Sequence, residues 1–316
     1  MLTPALRRFR SFVLMGGLLA ALTGCASKNP MDYLPETATY IAVNMDKLRS
    51  SEGGKRLMTA AEKTGQKSVA SDKLKTAYVA VDTTARPPIA YAVLLGSGGF
   101  AKAAEADLKS QGATEAKMAG QTVLTSGPMT FLPMGDDGML AFGNQAALEK
   151  MVATSKKKSP SALQSPVFKQ VLSKHTSHGI TVVADTGPIM SMAGGQLDGL
   201  AMMNPKGAEA LKEVKSISLV LDWDAQPQAE AVLILPAEDK RADLAALVNT
   251  MLTFATTGAA NSPQMKGFAG MLKGLAAQPN SEGVALAITI PKETADQWLA
   301  VAESGALAKM AGGAGR

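Results

Sequence analysis

Ser216-Ile217-Ser218-Leu219-Val220-Leu221-Asp222-Trp223 places Ile, Leu, Leu and Trp at every second position, with Ser216, Ser218 and Asp222 on alternate ones. A period of two is the signature of a half-buried β-strand, because successive side chains point to opposite faces of a sheet. Ala229 to Leu235 pairs with it across Gln226-Pro227-Gln228, a hairpin connection. Downstream, Leu244, Leu247, Val248 and Met251 fall on one helical face. Val284, Leu286, Ile288 and Ile290 then alternate with Ala285, Ala287 and Thr289, and Ala295, Trp298, Leu299 and Ala302 mark a last amphipathic helix. Upstream, Ile180 to Asp185 reads as a strand feeding a helical stretch from about Ile189 to Val214.

The same order stands earlier in the chain. Thr39 to Asn44 reads as a strand entering a polar helix near Asp46. Ala77 to Asp82 and Ile89 to Leu95 are strands joined at Pro87-Pro88. A helix follows with Phe100, Ala104 and Leu108 on one face, Glu105 and Lys109 four residues apart, and Gly112 placed to end it. Thr122 to Ser126, Met129 to Met134 and Met139 to Phe142 are further strands, the last two turning at Asp136-Asp137-Gly138. Asn144 is placed to cap a closing helix striped with Leu148, Met151 and Val152. Ser155-Lys156-Lys157-Lys158-Ser159-Pro160-Ser161 forms a polar break between the two halves.

The pattern predicts an α+β protein of two tandem related units, 33–158 and 159–307, followed by a C-terminal tail, 308–316. Each unit has the β-α-β-β-α-β order of a ferredoxin-like, split βαβ fold, and an antiparallel sheet with helices packed on one face is expected. Whether the units share one sheet is open at this level.

The first 32 residues carry an address. Arg7, Arg8 and Arg10 precede an apolar run from Phe12 to Leu22, and Leu22-Thr23-Gly24-Cys25 follows. That order is that of a secretory signal peptide over 1–24, too short in its apolar part to span a bilayer. Leu22-Thr23-Gly24-Cys25 resembles the lipobox of bacterial lipoproteins. The resemblance implies cleavage after Gly24, diacylglycerol on the Cys25 thiol, often acylation of the new amine, and a lipidated tether over 25–32. Several acyl chains hold a protein on a membrane far more firmly than one. Ala26 in place of aspartate implies the outer membrane, facing the periplasm, with the periplasmic face of the inner membrane as the alternative. Leu34-Pro35-Glu36-Thr37 before Tyr40-Ile41-Ala42-Val43-Asn44 is also similar to the opening of repeated units in some large bacterial envelope proteins, and implies no activity.

Composition narrows function. Removing Arg7, Arg8 and Arg10 leaves 29 of the 32 basic residues against 27 acidic ones, too balanced for a nucleic-acid surface. Cys25 is the single cysteine, so no internal disulfide forms. Asp185-Thr186-Gly187 resembles the active-site triplet of aspartic proteases, but the chain has one such triplet and that chemistry needs two carboxylates. His175 and His178 are the only histidines, and a closed metal site needs more ligands. Gly96-Ser97-Gly98-Gly99 between strand and helix has the position of a phosphate cradle without the full spacing of one. The 18 methionines are scattered, which fits packing better than copper. No catalytic centre and no cofactor is expected.

An asymmetry between the halves points elsewhere. Asp46 to Lys75 holds eight basic and four acidic residues, whereas Gly187 to Pro205 has Asp198 as its only charge among Met190, Met192, Leu197, Leu200, Met202 and Met203. Met251 to Ala277 is similar, with Phe254, Phe268 and Met271 and only Lys266 and Lys273 charged. Burial between the units accounts for such helices; exposure makes them a surface for an envelope protein, a lipid or another apolar ligand. The expected function is a non-catalytic, membrane-anchored interaction or scaffolding module. A periplasmic carrier of a lipid or apolar ligand, and a hydrolase without a known signature, are the alternatives.

Overall fold

A computed structural model describes residues 29–63, 72–85, 88–127, 129–142, 144–192, 194–224, 226–261, 272 and 274–303. The signal, Gly24, Cys25, Phe268, Met271 and the tail 308–316 lie outside them. The first half runs β1 (Thr39–Asn44), α1 (Met45–Ser50), α2 (Glu52–Lys63), β2 (Leu74–Asp82), β3 (Ile89–Gly96), α3 (Phe100–Ser110), β4 (Thr114–Met118), β5 (Gln121–Ser126), β6 (Met129–Met134), β7 (Gly138–Phe142) and α4 (Gln145–Ser155). The second runs α5 (Pro166–Lys174), β8 (Ile180–Asp185), α6 (Thr186–Met192), α7 (Gly194–Met203), α8 (Pro205–Lys212), β9 (Ser216–Asp222), β10 (Gln228–Ile234), α9 (Arg241–Ala260), β11 (Gln278–Pro279), β12 (Gly283–Thr289) and α10 (Lys292–Glu303).

The class is α+β, with one 12-stranded sheet in the order β11-β12-β10-β9-β8-β1-β2-β3-β7-β6-β5-β4. Strands β1 and β8 join the halves as an antiparallel pair from Thr39↔Ala184 to Val43↔Ile180. All the strand pairings are antiparallel.

Two expectations are corrected. The interleaved split βαβ order is absent, because β1 pairs directly with β2 and β8 with β9. The register gives the reason: Asn44 at the end of β1 opposes Thr76 near the start of β2, and Asp185 at the end of β8 opposes Ser216 at the start of β9. The intervening helices therefore return the chain to the end of the sheet it left, and a strand reached that way runs antiparallel to its predecessor. Helices also cover both faces, not one. Val93 belongs to the core under α4 and α5, with Tyr40, Tyr78, Tyr91, Leu148 and Phe168. Its neighbour Leu94 packs with Phe100, Leu108 and Met139. Consecutive strand residues point oppositely, so α3 and α4 sandwich this part of the sheet. In the second half, Leu233, Val284 and Leu286 meet Leu244 of α9 on the face opposite α5.

The helical stretch expected from about Ile189 to Val214 comprises three helices, α6, α7 and α8. Asn204 accepts the Gly207 N–H at 2.9 Å and Pro205 follows it at the first helical position, so α8 starts afresh. Asn144 caps α4 by accepting from the Ala147 N–H at 2.9 Å. Gly112, at φ 91°, follows the end of α3, whose Lys109 meets Glu105 at 2.7 Å.

Candidate interaction surface

Helix α8 joins the first weakly charged region to the beginning of α9, whose later turns open the second. This helix packs against both α7 and α9. Gly207 makes the crossing close, since a Cβ there would lie 2.5 Å from the Leu247 Cβ and 2.9 Å from the Asp243 carbonyl oxygen. On α6 and α7, Met190 and Leu200 are half-buried, whereas Met202 is 88% and Met203 51% exposed. The side chain of Met192 lies outside the described ones. On α9, Leu244 and Leu247 are buried, but Met251 and Phe254 beyond them are exposed, Phe254 by 62%.

The far part of α9 is also chemically quiet. After Asp243 it has no charged residue through Ala260. The hydroxyls of Thr250, Thr253, Thr256 and Thr257 donate to the carbonyls of Ala246, Asn249, Leu252 and Thr253, at 2.7 to 2.9 Å. Back-bonding of this kind consumes the side-chain donors within the helix, leaving a methyl-rich surface. A groove of about 250 Å³ runs beside it, lined by Asn249, Leu252, Thr253, Thr256, Thr257, Leu272 and Leu275. Of the residues expected to meet an apolar ligand, Met190, Leu200 and Met203 do not line this groove, and Phe268 lies outside the described residues.

The polar candidates take structural roles. His175 Nδ1 lies 2.9 Å from the Leu172 carbonyl, an acceptor only, so Nδ1 carries the proton and Nε2, at 2.7 Å, accepts from the Tyr78 hydroxyl. Burial pushes the Tyr78 phenol up to about 12. The His175 carbonyl also accepts from Asn44 Nδ2 at 3.2 Å, tying α5 to β1 and β2. His178 Nδ1 meets Asp222 Oδ2 at 2.8 Å, and the other oxygen of Asp222 accepts the Gly179 N–H. Asp185 accepts the Gly187 N–H at 2.7 Å, closing the turn into α6 much as Asn44 accepts the Lys47 N–H at the start of α1. Strand β8 separates Asp185 from the histidines; its six residues span roughly 20 Å, so they cannot share a reaction centre. No group of three His, Cys, Asp or Glu suited to a metal occurs among the described residues.

Gly96 to Gly99 is a tight turn tied to its surroundings, the Gly96 N–H donating to Asp137 O. Ser97 N–H donates to Lys73 O, Phe100 N–H to Ser97 O and Ala101 N–H to Asp136 O. Gly99 stands at φ 77°, and a Cβ on Gly96 would meet Phe100 and the Lys73 carbonyl.

The polar break between the halves borders a second concave feature. Asp32, Thr154, Ser155, Lys157, Lys158, Ser159, Pro160, Ser161 and Gln164 line an open cavity of about 500 Å³ beside the end of α4. The preceding chain is fastened to it: the Glu36 N–H donates to Pro160 O, the Ala162 N–H to Leu34 O, and Pro35 bridges Ser161. Lys157 has φ 58°, the one sequence signal absent being the glycine usual at that position.

No family model matches the chain, and no curated protein does. Among solved structures it is similar to TP0453 in crystal form I, at 12% identity and a TM-score of 0.48 over 89% of this chain and 98% of that one. Crystal form III of TP0453 gives 15% identity and 0.46 over 88% and 99%.

Proposed function

We propose that the protein is an envelope lipoprotein, moored by acyl chains on Cys25 after cleavage behind Gly24, whose folded part is a non-catalytic interaction module made of two duplicated halves. The outer membrane, on its periplasmic side, is the favoured location, and the inner membrane's periplasmic face the alternative. The single observation carrying the interaction reading is the exposure of Met202, Met203, Met251 and Phe254, all on helices of the second half. Large apolar side chains exposed to water carry a free-energy cost that burial against a partner relieves. Support for duplication is the shared order of strand, capped helices returning to the same end, two strands and a helix, with Asn44 and Asp185 at matching places. The hydrolase reading loses its motive, since its candidate groups are consumed in turns and pins on opposite sides of β8.

Two measurements test this. Mass spectrometry of the native protein is expected to find an N-terminal diacylglyceryl Cys25; an unmodified thiol or a retained leader ends the anchor. Pull-down from detergent-solubilised envelope is expected to recover a partner with the native chain and lose it with Met202→Glu, Met203→Glu and Phe254→Glu combined. Equal recovery by both ends the surface assignment. The α9 groove favours one second reading, a carrier of an apolar ligand; it predicts saturable uptake of a fluorescent fatty acid that Leu252→Gln diminishes.

A further inference from the structure

We infer that the lysine turn closing α4 is a binding site for the phosphate-bearing headgroups of the bilayer that holds the anchor. The inference rests on the Cys25 anchor proposed above, and three independent features of the turn point to it.

Placement comes first. The cavity is lined by Asp32 as well as by Lys157 and Lys158. From residue 25 to residue 32 the chain can extend at most about 25 Å, which bounds how far the turn can stand from lipid. The bonds from Glu36, Leu34 and Pro35 to residues 160–162 hold the turn beside that exit. Charge is the second feature. Lys156, Lys157 and Lys158 are all exposed, and none has an ion-pair partner among the described residues. They outnumber the two acids on the adjoining segment, Asp32 and Glu36. Basic residues beside a lipid anchor add to its hold on an anionic surface, which is how one weak attachment becomes a firm one.

The third feature is backbone strain in the wrong residue. Lys157 N–H donates to Thr154 O at 2.8 Å and Lys158 N–H to Ala153 O at 3.2 Å, the two bonds of a Schellman ending. Its left-handed position is one that glycine fills without conflict, yet lysine stands there. A cation near the end of a helix does favour the dipole, but Lys156 already supplies one with ordinary geometry. Holding a second lysine in a disfavoured conformation suits a side chain needed for something outside the helix.

The test uses the chain from residue 25 onward carrying Cys25→Ser, so that no acyl chain contributes. Binding to phosphatidylcholine vesicles is compared with binding to vesicles that also hold phosphatidylglycerol. The expected result is preference for the anionic vesicles, weakened by salt, with about a fivefold loss per lysine and about a hundredfold for Lys156→Gln, Lys157→Gln and Lys158→Gln combined. Lys157→Gly is expected to keep or raise the melting temperature while losing about fivefold in binding. Equal binding to both vesicles, or an unchanged triple variant, overturns the site. So does a Lys157→Gly chain that binds as before. Saturable binding of inorganic phosphate without vesicles, lost in the triple variant, would overturn the bilayer in favour of a soluble anion. None of these outcomes alters the mass of Cys25, so the site and the anchor fail separately.

Discussion

The connection from β1 to β2 and the connection from β8 to β9 occupy the same place in the two halves and are built from opposite chemistry. In the first, α1 and α2 are charged and clasp the other half. Arg56 pairs with Asp296 of α10, and Ser51 Oγ donates to the Trp223 carbonyl at 2.6 Å. Lys292 and Arg56 together hold the Asp296 carboxyl below its usual range. In the second, α6 and α7 present Met202 and Met203 to solvent, and no salt bridge among the described residues involves either helix. One copy of the connection thus fastens the molecule and its counterpart is left free to meet something else. A single clasp is enough to hold two halves that already share a sheet.

The largest way to break the comparison is to loosen the seam beneath both connections. Phe168 of α5 is fully buried, with its ring centroid 5.0 Å from that of Tyr40 on β1 and 5.8 Å from that of Tyr78 on β2. Phe168→Ala is expected to cost about 4 kcal/mol, the range of a large core truncation, in denaturant unfolding. If the halves are one cooperative body the transition stays single; two separated transitions would show that β1 and β8 do not couple them. A smaller effect isolates the clasp. A Cβ on Gly53 would stand 2.3 Å from Trp223 Cδ1 and 2.8 Å from the Asp224 carbonyl oxygen. Gly53→Ala is therefore expected to displace α2 and cost about 2 kcal/mol by overpacking, even though alanine has the better helix propensity. A gain in stability would mean that α2 and Trp223 are not in contact in solution.

How far the residues foretold this depends on whether the determinant is local. The strand at Ile217 to Trp223, the caps at Asn144 and Gly112 and the Glu105–Lys109 pair were readable because a period or a bond within a turn defines each. Strand order was not, because it depends on which end of the sheet a helical connection returns to, and the register Asn44↔Thr76 is a long-range property. Strand β4 escaped notice because Thr114-Glu115-Ala116-Lys117-Met118 is an edge strand with mostly exposed, polar side chains, a composition that protects an edge and hides its periodicity. The apolar surface was half-readable. Lack of charge singled out Gly187 to Pro205, but it fits a buried helix and an exposed one equally, so Met190 and Met202 could not be told apart. The lysine turn read as a polar break, since neither the left-handed φ nor the neighbouring Asp32 leaves a mark in the sequence around it.

The smallest expected effect sharpens the comparison most. Met202 is so exposed that a polar replacement loses almost no buried area, and Met203 loses only part of its own. At roughly 25 cal/mol per Å² of apolar surface, the folded state gives up little when both become glutamate. Lone surface substitutions usually stay within about 0.5 kcal/mol, so Met202→Glu with Met203→Glu should leave denaturant stability nearly unchanged. A loss of several kcal/mol would mean that these methionines are covered in solution by the chain itself. The second connection would then be a clasp like the first, and the contrast between them would disappear. An unchanged stability with lost partner recovery would separate the two roles, fastening by α2 and recognition by α7.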